Sequence, residues 1–529
     1  MINVNVNVNV NEEYGWKKLT FNGLILWLKG YIHNKTTETL LKELQSVPLM
    51  EIGSYLFKLD GHFALIMQTD SLTIMAVDKI RSIPLFWMGN EINTHAPTLV
   101  KNKKIKQLNK NAILSVKMSG YTINEDTIYQ GLNSLIAGQY VVFENNQVKR
   151  NYYYQYQPWK VIQKNDYKGD LALATLRILK KMIKSLNGRQ VVIPLSAGYD
   201  SRLIASGLKH LGYKNVKCYS YGTKGNFEAK IAKIIADKLG YEFKFIPLTF
   251  GEERKFYKSQ DFKNYLHFAD SCVAMPHFQS LSTIPRLKHW IDKDAIFING
   301  NSGDFISGGH INSLMQRDNS ALSENNRLSI ILKQIISKHF SLWGYLKTER
   351  NLEGIKSQLL DNMPTQITTA DKDHGLYEYS EFVNRQSKYV INGQRSYEFY
   401  GYEWRLPLWD DEYLHFWQQV PLELKTNQKL YINMLKSEDW AGVWGDDIPI
   451  NKKTIRPLWV IPLRFIAKIL FAFFGKKRWH QFEAGVFYYF MDVTKMICIK
   501  GYFTVIKDVF KGPRNHVSWQ VEDYIKSKR

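Results

Sequence analysis

The sequence predicts two folded units in series: an α+β unit organised as a β-sandwich, then an α/β unit on a parallel sheet with helical elaboration. Three observations predict this. Short β-like runs separated by turn residues fill roughly the first 150 positions, strand and helix patterns alternate from residue 191, and helical periodicity rich in Trp and Phe dominates after residue 328.

The bulk properties agree. The chain has 529 residues, is 45% hydrophobic and carries a formal net charge of +22, enough apolar material for two or three globular domains. The charge is uneven, since residues 451–529 hold 16 Lys/Arg against 5 Asp/Glu. Cys218, Cys272 and Cys498 are far apart and odd in number, which argues against a disulfide framework or a cysteine zinc site and favours a reducing cytoplasm. The first residues lack the basic and apolar segments of a secretory signal, and no uncharged apolar run reaches ~18 residues. Nor does a nucleic-acid reader motif accompany the basic residues, so nucleic acid is not an expected partner.

Taken in order, the Asn/Val alternation over residues 2–10 suits an edge strand. A helix is expected near Thr36 to Val47. Leu59 to Phe63, the alternating apolar positions after it and the Thr69-Asp70-Ser71 turn read as a hairpin. An amphipathic helix over Asp170 to Leu186 leads into Val191 to Leu195, a run apolar enough for a strand covered on both faces. Ser196, Ala197 and Gly198 then form a small-residue loop, and Asp200 and Ser201 open a helix. Such a loop lets backbone N–H groups approach an anion beside the positive end of a helix, although an ordinary strand–loop–helix corner has the same pattern. Strand, helix and strand follow at Val216 to Tyr221, Phe227 to Leu239 and Glu242 to Pro247, which implies a parallel sheet with its ligand at the carboxyl ends. Glu228 reads as a first-turn acid on that helix. Finally, Ala295 to His310 joins a buried strand ending at Asn299 to a glycine-rich acidic turn, where Asp304 is placed to bind Mg²⁺ opposite a phosphate loop.

These motifs carry a resemblance. Ser196 to Ser201, S-A-G-Y-D-S, resembles the S-G-G-x-D-S pyrophosphate loop of the ATP pyrophosphatases, a group that includes the asparagine synthetases, with Ala197 in place of a glycine. Gly300, Asp304, Gly308 and Gly309 match the asparagine synthetase string S-G-E-G-[SA]-D-E-x-F-G-G-Y, while Asn301, Phe305 and His310 depart from it. Glu403, Arg405, Pro407 and Asp410 resemble its E-x-R-x-P-[FL]-L-D turn, in which Arg405 is expected to pair with Glu403 or Asp410. Lys425 to Met434 resembles the helix that follows, through Lys429. Asp447 to Thr454 resembles the family's lysine loop, with Lys453 or Lys452 in the role that neutralises charge at the α-phosphate. In the N-terminal unit, LDGHFALIMQTD, VDKIRSIPLFW and residues 120–142 resemble the glutaminase (Ntn-type) domain, the last stretch as a turn and helix. That domain works through a processed N-terminal cysteine, whereas position 2 is Ile. Glutamine hydrolysis is therefore not expected.

The resemblance implies a degenerate glutaminase-like domain over 1–155, an ATP pyrophosphatase domain over 165–455 and a basic aromatic extension over 456–529. It implies ATP contacts at Leu195, Ser196, Ala197, Gly198, Asp200, Ser201, Tyr219, Gly222, Asn299 and Gly300, with Mg²⁺ on Asp200 and Asp304. Catalytic candidates are Lys453, Lys452 and His310, the last as a base replacing the glutamate lost at Asn301. The implied activity is an ATP-dependent carbon–nitrogen ligase that adenylates a small carboxylate and passes it to ammonia or an amine, with a homodimer left open. The chain looks most like asparagine synthetase-like proteins encoded with bacterial surface-polysaccharide genes, which suggests a sugar acid as acceptor. The competing class is an ATP-binding scaffold that has lost turnover. In the extension, Pro457 to Arg478 reads either as a basic aromatic helix on an anionic membrane surface or as a helix packed on the second domain.

Overall fold

The computed structural model describes residues 6–311, 315, 320–361, 363–364, 369–450, 458–491 and 500–528. Ten strands build the first unit: β1 (Asn7–Asn9), β2 (Lys17–Phe21), β3 (Leu24–Ile32), β4 (Gly61–Gln68), β5 (Leu72–Val77), β6 (Phe86–Met88), β7 (Glu91–Asn93), β8 (Asn133–Ser134), β9 (Gln139–Glu144) and β10 (Gln147–Tyr152). They form a six-stranded antiparallel sheet, β10-β9-β5-β4-β3-β2, and a four-stranded sheet, β1-β7-β6-β8. Alternation in β4 explains the sandwich. Ala64 and Ile66 join a core with Trp87 and Ile92 of the smaller sheet, while Phe63, Leu65 and Met67 pack with Leu40, Leu41 and Leu44 of the Thr37–Ser46 helix. The Asn/Val run does supply an edge strand, with β1 paired parallel to β7.

One expected helix is absent. Residues 120–138 contain none, because the helix lies one step earlier at Lys110–Ser119 and is ended by Gly120 at φ +97. The chain beyond is committed to contacts with the second unit: Thr122 and Ile128 donate their amide N–H groups to the carbonyls of Val273 and Cys272.

The Tyr167–Leu186 helix feeds five parallel strands, β11 (Val191–Pro194), β12 (Val216–Gly222), β13 (Glu242–Pro247), β14 (Ile296–Ile298) and β15 (Glu403–Arg405). Their order is β13-β12-β11-β14-β15. The chain winds from β11 out to β13, then crosses back to add β14 and β15, so the order reverses between β11 and β14. At such a reversal the loops leave the carboxyl ends in opposite directions and open a crevice. Val191, Val192 and Ile193 are fully buried, as a strand covered on both faces requires. Arg405 pairs with Glu403 at 3.2 Å, whereas Asp410 caps the Asp411–Gln418 helix and pairs with Lys181 at 2.8 Å.

The C-terminal region divides in two. The Val517–Lys526 helix folds back on the N-terminal unit, where Val521 and Ile525 share a core with Leu99 and Val116, and Lys528 pairs with Asp270. By contrast, the Val460–Phe471 helix buries only Val460. Phe465 and Phe473 are 64% and 93% exposed, so the reading of a helix packed apolar side down does not hold. No helix among the described residues is long and apolar enough to cross a membrane.

Candidate functional site

The crevice between β11 and β14 is built from two loops. On the β11 side Gly198 precedes the Tyr199–His210 helix with extended backbone, and no side chain caps that helix. Its first-turn N–H groups are left for an outside acceptor. Ser201 Oγ accepts the Ser196 N–H at 3.0 Å and lies 3.1 Å from Ser196 Oγ, which in turn accepts the Gly198 N–H at 3.1 Å. The two hydroxyls thus shape the loop. Behind it the buried Arg202 donates to the carbonyls of Ala197, Val443 and Ile448, and burial pulls its guanidinium down to about 10.

On the β14 side, the Asn299 side chain accepts the Asn301 N–H at 2.9 Å and turns the chain, and Ser302 takes the left-handed region at φ +67. The backbone then runs hard against the facing loop. A Cβ on Gly300 would lie 2.8 Å from backbone atoms of Asp200 and Ser201, and one on Gly303 would lie 2.5 Å from the Asp200 carboxyl. Only glycine permits that approach. The result places Asp304 beside Asp200, whose Oδ2 accepts the Asp304 N–H at 3.1 Å and whose Oδ1 accepts the Tyr431 hydroxyl at 3.1 Å. Burial, with the like charge of Asp304, pushes Asp200 up to about 7. Two adjacent carboxylates at the start of an uncapped helix, Asp200 buried and Asp304 open to solvent at its side chain, are a hard-oxygen donor set. These residues fit a divalent cation such as Mg²⁺.

His310, the candidate base, is held between two carboxylates. Its Nδ1 lies 2.6 Å from Glu381 Oε1 and its Nε2 3.1 Å from Asp304 Oδ2. Burial opposes the charge, but the two carboxylates outweigh it and raise the ring to about 9. Both ring nitrogens are engaged, and the shift favours the charged ring at neutral pH. Glu381 is fully buried and also meets His339, Arg385 and Gln386. It opens a ten-residue π-helix, Glu381–Val390, which brings Glu381, Arg385 and Gln386 toward the crevice; Gln386 accepts from Ser302 at 2.6 Å.

The structure brings together Ser196, Ala197, Gly198, Asp200, Ser201, Asn299, Gly300, Asp304 and His310. Tyr219 stands apart: its carbonyl accepts the Leu195 N–H at 2.8 Å and its ring is fully buried against Phe297. Leu195 is likewise a core residue, and Gly222 closes β12 at φ +136. Glu228 sits in the first turn of the Phe227–Leu239 helix. Lys452 and Lys453 lie outside the described residues. Sequence reasoning missed Tyr431 and Glu381. Tyr431 stands two positions after Lys429, and Glu381 with Arg385 has the i,i+4 spacing of a paired acid and base on a helix, but neither pattern says what the side chains face.

Residues 185–437, just under half of the chain, match the family model described as Asparagine synthase. No curated protein sequence matches the chain. Among the solved structures that match parts of it are two at 11% identity. One is described as the structure of the allosteric regulatory enzyme of purine biosynthesis, covering 53% of this chain and 55% of that one with a TM-score of 0.16. The other is glutamine phosphoribosylpyrophosphate amidotransferase from B. subtilis complexed with ADP and GMP, covering 54% and 63% with a TM-score of 0.13. The chain thus spans less than two thirds of either.

Proposed function

We propose that the protein is an ATP-dependent amide ligase that adenylates a carboxylate, releases pyrophosphate, and transfers the acyl group to ammonia or an amine with release of AMP. The observation that carries this is the juxtaposition of Asp200 and Asp304 with the uncapped start of the Tyr199–His210 helix, inside the stretch that matches the Asparagine synthase model. In this reading Ser196, Gly198 and Ser201 receive the departing pyrophosphate, and the first-turn N–H groups of the helix stabilise its charge. Asp200 and Asp304 would hold Mg²⁺, which would supply positive charge to offset that of the phosphates. His310 keeps Asp304 ionised and oriented. A cation at the α-phosphate falls to Lys453 or Lys452. A sugar acid is the acceptor that the sequence resemblance suggests.

The nitrogen donor in this reading is free ammonia or an amine, not glutamine hydrolysed by this chain. Cys218 and Cys272 are both buried, and burial pushes both thiols well above their ordinary range, so neither is a nucleophile. The exposed Val460–Phe471 helix is read as a peripheral membrane contact. Lys468 lies among its exposed apolar residues while Arg464 pairs with Glu483, and a charged interfacial helix of that kind docks on anionic lipid without spanning it.

The test is turnover. Incubation with ATP, Mg²⁺, ammonium and a panel of sugar acids and amino acids should yield AMP and pyrophosphate with at least one acceptor. Nucleotide binding without AMP from any acceptor would leave a scaffold in place of an enzyme.

A further inference from the structure

A second cavity lies on the far side of His310. It has a volume of about 200 Å³, and its walls include His310, Lys338, Arg385, Tyr121, Arg514 and Asn515. Arg514 and Asn515 come from the C-terminal extension, which is fixed there by backbone bonds: the Arg514 N–H to Leu342 at 2.9 Å and the Gly344 N–H to Gly512 at 2.7 Å. The buried Trp343 indole also donates to the Ser518 carbonyl. The extension therefore completes this wall as part of the fold.

Among the described residues, the cations there outnumber their partners. Lys338 donates to the His310 carbonyl at 2.8 Å, and Arg514 donates to the Lys338 carbonyl and to Ser341 Oγ at 3.2 Å. Neither makes an ion pair among the described residues. Arg385 gives Nη1 to Glu381 at 3.1 Å, and Glu381 is already shared with His310 and His339. Burial pulls the Lys338 ammonium below its ordinary value; Glu381 offsets part of this, and Arg385 and Arg514 add to it. Three long cations converge on a space the size of roughly six waters. Such an arrangement is held at a cost that an anion removes.

We propose that this cavity is an anion site that seats a second oxyacid group of the acceptor, a carboxylate or a phosphate, apart from the carboxylate that is activated. Arg514, Lys338 and Arg385 are its ligands, with Arg514 supplying a planar fork suited to such oxygens. His310 forms the shared wall: one face closes the cavity and its Nε2 reaches Asp304, so a group held here lies one side chain from the metal-binding pair. The assignment of the anion to the acceptor rests on the ATP reading of the crevice; the capacity to bind an anion does not. The acceptor class that follows is a molecule with two acidic groups.

Calorimetric titration of the full chain with inorganic phosphate and, separately, succinate tests the site, alongside titration with a non-hydrolysable ATP analogue and Mg²⁺. Wild type should bind one of the two probes saturably, and Arg514→Gln and Lys338→Gln should each weaken it by tenfold or more while nucleotide affinity stays within about twofold. Preference for phosphate identifies a phosphorylated acceptor, and preference for succinate a dicarboxylic one. Two results overturn the proposal: no saturable binding of either probe by wild type, or unchanged affinity in whichever variant folds. A parallel fall in nucleotide affinity would assign the cavity to ATP's own phosphates and also overturn it. If wild type binds the probes but no nucleotide, the anion site stands and the ligase reading fails.

Discussion

Asp200 accepts the backbone N–H of Asp304 at 3.1 Å, so two carboxylates from opposite sides of the strand-order reversal are fixed in one crevice. Asp304 is also 55% exposed at its side chain, open to a ligand. Asp304→Asn keeps the size and removes the charge. AMP release should fall about 10²-fold or more, with the melting temperature little changed; full turnover in this variant would remove Asp304 from the site.

Gly303→Ala tests the close approach. Its Cβ would lie 2.5 Å from the Asp200 carboxyl and 2.6 Å from Leu408 Cδ1. Chemical denaturation should show a loss of about 1–3 kcal/mol, and nucleotide affinity should fall with it because Asp200 must move.

Glu381→Gln removes the one buried carboxylate that His310, His339 and Arg385 share. Breaking such a cluster leaves buried positive charge. A destabilisation of about 3–5 kcal/mol in urea is expected, which added chloride should partly relieve.

Acid lability has a local source in His62, which is buried against the Trp409 carbonyl. Burial lowers its pKa from 6.5 to about 3. The folded state therefore holds it neutral, while the unfolded chain takes up a proton below pH 6.5, so stability present above 6.5 is lost as pH falls toward 3. At about pH 5 the single group costs ~2 kcal/mol. The melting temperature of His62→Gln, measured against wild type from pH 7 to 5, should fall less steeply.

Lipid docking is tested by flotation with anionic phosphatidylglycerol vesicles. Changing Phe465, Ile469 and Phe473 together to serine should abolish co-flotation. Raising salt should weaken wild-type binding, because the cations contribute by charge and are screened.

Much of the fold was legible as periodicity. The β4–β5 hairpin with its Thr69-Asp70-Ser71 turn, the β11 strand and the helix–strand alternation from Val216 to Pro247 follow from side-chain spacing, and a local pattern is all they require. The 120–138 stretch shows the limit: its composition permits a helix, but the N–H groups of Thr122 and Ile128 are taken by the carbonyls of Val273 and Cys272 in the second unit.

The sequence by itself determined the two site loops, since Ser196 to Ser201 and Gly300 to Asp304 name the residue types that an anion and a metal need. It also determined that the chain is strongly basic at its end. Only the tertiary structure decided which charges meet. The His310 ring is drawn toward its charged form because Asp304 lies 3.1 Å from one nitrogen and Glu381, 71 residues away, 2.6 Å from the other, and Arg514 reached the far wall of the same site through a backbone bond to Leu342. A pKa depends on distance in space and on burial, and neither is written in the spacing of residues along a chain.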